Sequence, residues 1–308
     1  MFKIAVQTGG PEELYGVDGA YRLIKEAGFD AVDANIDHLL SYGDIVKKKI
    51  PPVYRKGLSE KAMLEYFRPW KDAAKKYGLD NYQAHAPFPS YLYLPDDPEY
   101  NEWLIEMLKK TIVGCASIDC HHLIIHPFFP GYDDTLSAEE EHRLNIESYL
   151  KLAKTAEKYD VTINLENMFT GHNKKIYAAI CNDGEEAARY VDELNDAAGK
   201  KVFGFCLDVG HAMLASKDIK RFMCALGQRI TAFHVHDNDG VDDQHLAPYM
   251  GKVDWDRFIE GLRAIGFNRT LSFETFNVWN VVDKEIAPEM MKVIAKTGRM
   301  FAERASVK

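Results

Sequence analysis

Cysteine is scarce in this chain. The five present, Cys115, Cys120, Cys181, Cys206 and Cys224, are odd in number, scattered, and include no C-x-x-C pair. That usage argues against a disulfide framework or a thiolate metal cluster and fits free thiols in a reducing, cytoplasmic setting. Long apolar runs are missing too: no window approaches the ~20 uninterrupted apolar residues of a membrane span. Residues 2–8 enter a strand pattern at once, without the basic-then-apolar stretch of a secretion signal. Positive charge is outnumbered, with 38 Lys and Arg against 47 Asp and Glu and a net charge of −9. No basic tail or stripe advertises nucleic acid or an anionic membrane. The sequence also lacks a G-x-G-x-x-G dinucleotide loop, a G-x-S-x-G nucleophile elbow and an H-E-x-x-H metalloprotease helix.

What is present is alternation. Strand-like runs fall at about 3–8, 30–35, 81–86, 122–127, 161–166, 203–208, 230–236 and 270–275, each followed by a segment that can be helical. Helix-period stretches such as Gly19 to Ala27, Glu60 to Tyr77, Glu99 to Ala116, Ala138 to Lys158 and Ile286 to Phe301 carry apolar residues on one face and charges on the other. Gly28, Gly78 and Gly266 close helices just before the next strand. The strands read as mostly apolar, as parallel strands covered by helices do. Eight strand–helix units in 308 residues with 46% hydrophobic content predict an α/β fold, a (β/α)8 TIM barrel forming one domain over residues 1–308.

In a barrel of this kind the chemistry gathers at the C-terminal ends of the strands. Glu166, Asp208, His234 and Glu274 each stand near the end of a separate strand run, in INLEN, FCLDVGH, AFHVH and LSFET. Three carboxylates and one imidazole form a hard, mostly oxygen donor set. It suits one divalent ion, Mn2+ or Zn2+ first and Mg2+ or Co2+ next. Three connections on the same face are long: His38 to Ser59, PFPSYLYLPDDP after strand three and PFFPGYDD after strand four. Their aromatics, Phe88, Tyr91, Tyr93, Phe128, Phe129 and Tyr132, are expected to wall a pocket or to pack the rim. Lys47 to Lys49 are placed to reach a phosphate from the second connection.

The ordered segments HAPF (85–88), LIIHP (123–127), LEN (165–167), CLDVGHA (206–212), FHVHD (233–237) and FET (273–275) resemble the xylose isomerase-like barrel superfamily over nearly the whole chain. That superfamily includes ketose epimerases, sugar isomerases, inosose dehydratases and endonuclease IV type apurinic endonucleases. The resemblance implies that Glu166, Asp208, His234 and Glu274 are the metal ligands. It implies a metal-dependent sugar isomerase or epimerase in which Glu166 and Glu274 exchange a proton beside a carbonyl through an enediolate, with His211 also in the catalytic set. His85, His126, His236, His245 and Asp243 are expected to contact a carbohydrate or polyol substrate; a homo-oligomer is compatible with the reading.

Two alternatives stay open. A lyase or dehydratase acting on a keto-sugar or inosose, C-glycoside cleavage included, needs the same base and Lewis acid plus one acid, such as His126 or His211. A three-metal phosphodiesterase of the apurinic endonuclease type would use His85, His126, His211, Asp243 and His245 as further ligands. Endonuclease members continue into a G-E-G turn where this chain has Met250-Gly251-Lys252. Ketose 3-epimerases carry an arginine some six residues after the ligand His, and here that stretch begins His236-Asp237-Asn238-Asp239-Gly240.

Overall fold

The structure is a computed structural model that describes residues 2–37, 40–51, 54, 59–94, 96–130 and 136–306. Its strands, in chain order, are β1 (Ile4–Gln7), β2 (Ala31–Ala34), β3 (Asp80–His85), β4 (His122–Ile124), β5 (Thr162–Glu166), β6 (Phe169–His172), β7 (Lys175–Ala178), β8 (Phe203–Asp208), β9 (Ile230–His234) and β10 (Leu271–Phe273). Eight of them form one parallel sheet in the order β10-β1-β2-β3-β4-β5-β8-β9. The two ends of that order meet: Val235 N–H donates to Ser272 O at 2.9 Å and Glu274 N–H to Val235 O at 3.1 Å. The sheet therefore rolls into the TIM barrel that the alternation predicts.

Helices α1 (Gly9–Ala27), α3 (Glu60–Tyr77), α4 (Pro98–Ser117), α5 (Ala138–Tyr159), α6 (Gly184–Ala198), α8 (Ile219–Leu226), α9 (Trp255–Ala264) and α11 (Ala287–Ser306) surround it, with short α2 (Tyr42–Val46), α7 (Val209–Leu214) and α10 (Val278–Val281) in the connections. Helix α1 starts ten residues before the expected Gly19, and its first part is set off by Gly16, whose φ of 65° breaks the helical run. Ser137 begins α5 with a full capping box, its hydroxyl accepting from Glu140 N–H while the Glu140 carboxylate accepts from Ser137 N–H. Gly28 and Gly78 end α1 and α3 in the left-handed conformation, as their positions predict.

The hydrophobic core lies between the strands and the helix layer, and alternation along the strands builds it. Phe203, Phe205 and Leu207 of β8 point outward into that layer, while Gly204, Cys206 and Asp208 occupy the other face. Inside the barrel the packing is small and polar. Ile124, Cys206 and Ala232 form a separate apolar cluster. Gln83 Nε2 donates to Asp33 Oδ2 at 2.7 Å and to Phe233 O at 3.1 Å, and Ser272 Oγ donates to Asp33 Oδ2 at 3.3 Å. Asp33 is fully buried, so this network serves as a polar floor beneath the strand ends.

Two features were not foreseen. Strands β6 and β7 form an antiparallel hairpin on the mouth of the barrel, turning at Asn173 and Lys174, both with positive φ. The connection after β4 is tied down by a helix side chain: Asn145 Oδ1 accepts from Phe128 N–H at 2.8 Å and its Nδ2 donates to Phe128 O at 2.7 Å. Asn145 is fully buried. Asn145→Ala leaves both backbone groups of Phe128 without that partner and is expected to destabilise the protein by about 1–3 kcal/mol, read as a shift in the urea midpoint. An unchanged midpoint would show that the loop is held by something else.

Candidate metal centre and active site

The four strand-end residues converge. His234 Nδ1 lies 2.8 Å from Glu166 Oε1, 3.5 Å from Glu274 Oε2 and 3.8 Å from Asp208 Oδ2. Ligand atoms of Asp208, His234 and Glu274 all fall within 4.8 Å of one another. Exposure is 1% for Glu166, 0% for Asp208 and His234, and 7% for Glu274. Three carboxylates packed so closely need compensating positive charge. Among the described ion pairs no Lys or Arg supplies it; the partners are imidazoles. Glu166 Oε2 is buried and accepts no well-aligned hydrogen bond. This donor set, crowded, anionic and short of a cation, fits a divalent metal.

Local structure explains how each ligand is aimed. Asp208 ends β8 and caps the N-terminus of α7, accepting from His211 N–H at 2.6 Å, which is why a histidine three residues on turns back over the same site. Asn167 joins the ends of two strands: its Nδ2 donates to Asp208 O and its Oδ1 accepts from Asp208 N–H, both at 2.8 Å. Gln7 Nε2 donates to Glu274 Oε1 at 2.9 Å. Behind His234, Asp33 Oδ2 stands 3.4 Å from Nε2, close enough for its charge to favour a proton on that nitrogen, which leaves Nδ1 facing the carboxylates. Sequence reasoning passed over Gln7, Asp33 and Asn167. The signal for Asp33 was a carboxylate inside the apolar run AVDA, a residue that must be paired if buried.

Two flanking groups share these carboxylates. His85 Nε2 and His126 Nε2 are 3.0 Å apart and lie 3.7 and 3.1 Å from Glu166 Oε2. On the other side Asp243 Oδ2 is 3.3 Å from His211 Nε2 and 3.6 Å from His245 Nδ1, and His245 Nε2 is 3.3 Å from Glu274 Oε2. His85, His126, His211, Asp243 and His245 all line the cavity above the centre. His236 does not. Expected at the substrate, it is instead fully buried behind Asp208, with Nε2 3.0 and 3.1 Å from the two carboxylate oxygens, and its ring is stacked on His245 at 4.2 Å. A Cβ on Gly210 would sit 1.9 Å from that ring, so the helix start closes over it.

Electrostatics follow from the packing. Burial pushes Glu166 upward, but His234 together with His126 and His85 outweighs it and holds the carboxyl well below the usual range. Glu274, opposed by the same burial, is brought down to about 2 by His234 and His245. Burial keeps His126 below its ordinary value despite Glu166. His211 is raised well above its ordinary value because Asp208 and Asp243 overcome burial. Cys206 Sγ lies close to Glu166 and His234, yet burial pushes the thiol far up, so it stays neutral.

A cavity of about 780 Å3 opens above the centre. Of the aromatics expected there, Phe88, Tyr91 and Phe129 line it; Phe128 is packed in the core against Tyr149, and Tyr93 is exposed outside it. Tyr132 lies outside the described residues, as do His38, Pro52 and Pro95 of the long connections. The cavity gains Phe169, Phe276 and Trp279, which sequence reasoning did not single out. Lys47, Lys48 and Lys49 are not part of its lining, and Lys48 pairs with Asp97.

Residues 21–297 match the sequence profile of the xylose isomerase-like TIM barrel family. The chain belongs to that family. An inosose isomerase of Bacillus subtilis is 24% identical over 218 residues, 69% of this chain and 70% of its own. A D-tagatose 3-epimerase-like protein superposes with a TM-score of 0.70 at 21% identity, covering 99% of this chain and all of that one. The IOLI protein with a bound zinc atom superposes at 0.65 and 19% identity, covering 99% of this chain and 98% of that one. Among the described residues, no helix of this family member is long and apolar enough to cross a membrane.

The imidazoles set a pH dependence. Burial lowers His85 and His236, but Glu166 at one and Asp208 at the other reverse this and raise both from 6.5 to about 9. A raised histidine stabilises the fold fully below its unfolded value and loses that contribution as pH climbs through the folded one. The melting temperature of metal-free protein is therefore expected to fall between pH 6.5 and 9. Saturating divalent metal should flatten the fall, because the cation replaces the protons. A pH-independent melting temperature of the metal-free protein across that window would contradict this charge balance.

Proposed function

We propose that the protein is a cytoplasmic, divalent-metal-dependent sugar isomerase or epimerase that moves a proton next to a carbonyl. The observation that carries the reading is the placement of Glu166 at the end of β5 and Glu274 just after β10, both beside His234 Nδ1 at the base of the cavity. Glu166, Asp208, His234 and Glu274 would hold the ion. When bound, it acts as a Lewis acid that acidifies the C–H bond between a substrate carbonyl and hydroxyl. The names of the similar proteins, an inosose isomerase and a tagatose epimerase-like protein, support the same class, and the zinc of the IOLI protein supports a divalent metal, with Mn2+ the other leading candidate.

The chain's own residues divide the remaining work. Both glutamates are ionised at neutral pH, one brought to about 2 and the other held low, so neither has to shed a proton before acting, although the same histidines that hold them low weaken them as bases. Coming from well-separated strands, they reach a bound sugar from different sides, one taking the proton and the other returning it. His211 carries a proton and can donate to a substrate oxygen, while His126, kept neutral by burial, can accept one. A lyase or dehydratase acting on a keto-sugar or inosose, C-glycoside cleavage included, uses the same first step; of the two expected acids, His126 and His211, the protonated His211 is the one suited to protonate the departing group.

A second reading has its own observation. The His85–His126–Glu166 group lies at ligand spacing beside the centre, and on the other side Asp243 is 3.3 Å from His211 and 3.6 Å from His245, groups from which a three-metal phosphodiesterase would draw its further ligands. The acidic balance of the chain opposes an abasic DNA substrate. Metal-dependent cleavage of an abasic duplex, abolished by His245→Ala, would place this reading first; no cleavage is expected.

The isomerase reading predicts solvent deuterium at the carbon next to the carbonyl when sugar substrate is turned over in D2O. Glu166→Gln or Glu274→Gln, checked for metal content, should cut turnover by at least ~10²-fold, because an oxygen ligand remains but the base is lost. Full activity of a metal-loaded double variant would exclude the carboxylates as bases.

A further inference from the structure

The cavity leaves room beside a bound free sugar, and much of its wall is apolar. A hexose displaces roughly seven waters, ~200 Å3 at ~30 Å3 per water, whereas the cavity measures about 780 Å3. Its chemistry is layered. The histidines and the carboxylates Glu166, Asp243 and Glu274 cluster at its base, and three phenylalanines pack against those histidines. Phe88 sits 4.9 Å from the His126 ring, Phe169 4.8 Å from His211 and Phe276 4.3 Å from His245. Around the same cavity Leu14, Tyr91, Leu92, Phe129 and Trp279 add further apolar wall. Leu14 is 36% exposed, and Tyr91, Leu92 and Phe129 are half-buried, so apolar surface faces the open space. Such a wall is suited to an apolar group of ring size rather than to sugar hydroxyls.

Charge narrows the ligand further. Among the described lining residues Glu13, Asp37, Glu166, Asp243 and Glu274 are carboxylates, Lys284 is the one Lys or Arg, and the four histidines are already engaged with the carboxylates or with each other. A phosphoryl group wants an array of cationic or backbone N–H donors, and the lysines of the second connection lie outside the lining.

We propose that the substrate is an uncharged glycoside carrying a ring carbonyl, whose sugar reaches the strand-end centre and whose aromatic aglycone packs against the apolar wall formed by Tyr91, Leu92, Phe129 and Trp279; ordinary glucosides serve as its non-reacting binding analogues. This rests on the carbohydrate reading of the site and names its substrate class.

The test is calorimetric titration of Mn2+-loaded protein with phenyl β-D-glucoside, methyl β-D-glucoside and glucose 6-phosphate. The phenyl glucoside should bind at least tenfold more tightly than either of the others. The Tyr91→Ala, Phe129→Ala double variant should bring phenyl affinity down to the methyl level while methyl affinity and metal content hold. Leu14→Glu, at the exposed edge of the wall, should narrow the gap in the same direction and does not depend on the double variant folding. Equal affinity for the two glucosides, preference for the phosphate, or binding of neither glucoside overturns the proposal. Deuterium exchange into a small free sugar without any gain from a phenyl group contradicts this inference alone. A phenyl preference in a protein that exchanges no sugar proton contradicts the isomerase reading and leaves the aglycone wall standing.

Discussion

Three carboxylates share one imidazole edge at the end of the barrel, and the rest of the site is arranged around that crowding. An isolated buried carboxylate is costly, and three within reach of His234 Nδ1 are tolerated only where positive charge is supplied. In the protein itself protons on histidines supply it: His85, His211, His234 and His236 all have raised affinities for a proton because acids surround them. A divalent cation at the proposed centre would deliver the same charge from a single point and release those protons, coupling metal binding to both pH and folding.

Support for the crowded centre comes from below and from the side. The polar interior of the barrel, with Gln83 and Ser272 donating to Asp33, holds a carboxylate against the far edge of His234. Asn167 locks the end of β5 to the end of β8, and Gln7 steadies one oxygen of Glu274. These contacts hold the four candidate ligands in place without an ion, the kind of preorganisation that favours both metal affinity and electrostatic catalysis. Phe88, Phe169 and Phe276 pack against His126, His211 and His245, giving the upper side of the centre apolar neighbours.

Much of this was legible from residue order. Parallel strands announce themselves as apolar runs, and a charged residue at the end of such a run has one place to go, the mouth of the barrel; Glu166, Asp208, His234 and Glu274 were found that way. What escaped notice depends on the third dimension. His236 follows His234 by two residues, so alternation gives both the same face, but only packing shows that α7 and His245 seal it behind Asp208. Asp33 and Gln7 sit within short strands whose inward face cannot be told from the outward one without the barrel. The β6–β7 hairpin turns on Asn-Lys rather than Asn-Gly, a weaker signal, and Trp279 and Phe276 reach the cavity from a connection whose course no periodicity predicts.

The central claim is that these four side chains hold one ion between them. Anomalous diffraction from crystals soaked in Mn2+ tests it most directly. The account predicts a peak within roughly 2.0–2.3 Å of His234 Nδ1 and of an oxygen from each of Glu166, Asp208 and Glu274. Absence of a peak there at saturating metal, or a peak confined to the His85–His126 or His211–Asp243–His245 groups, would contradict it.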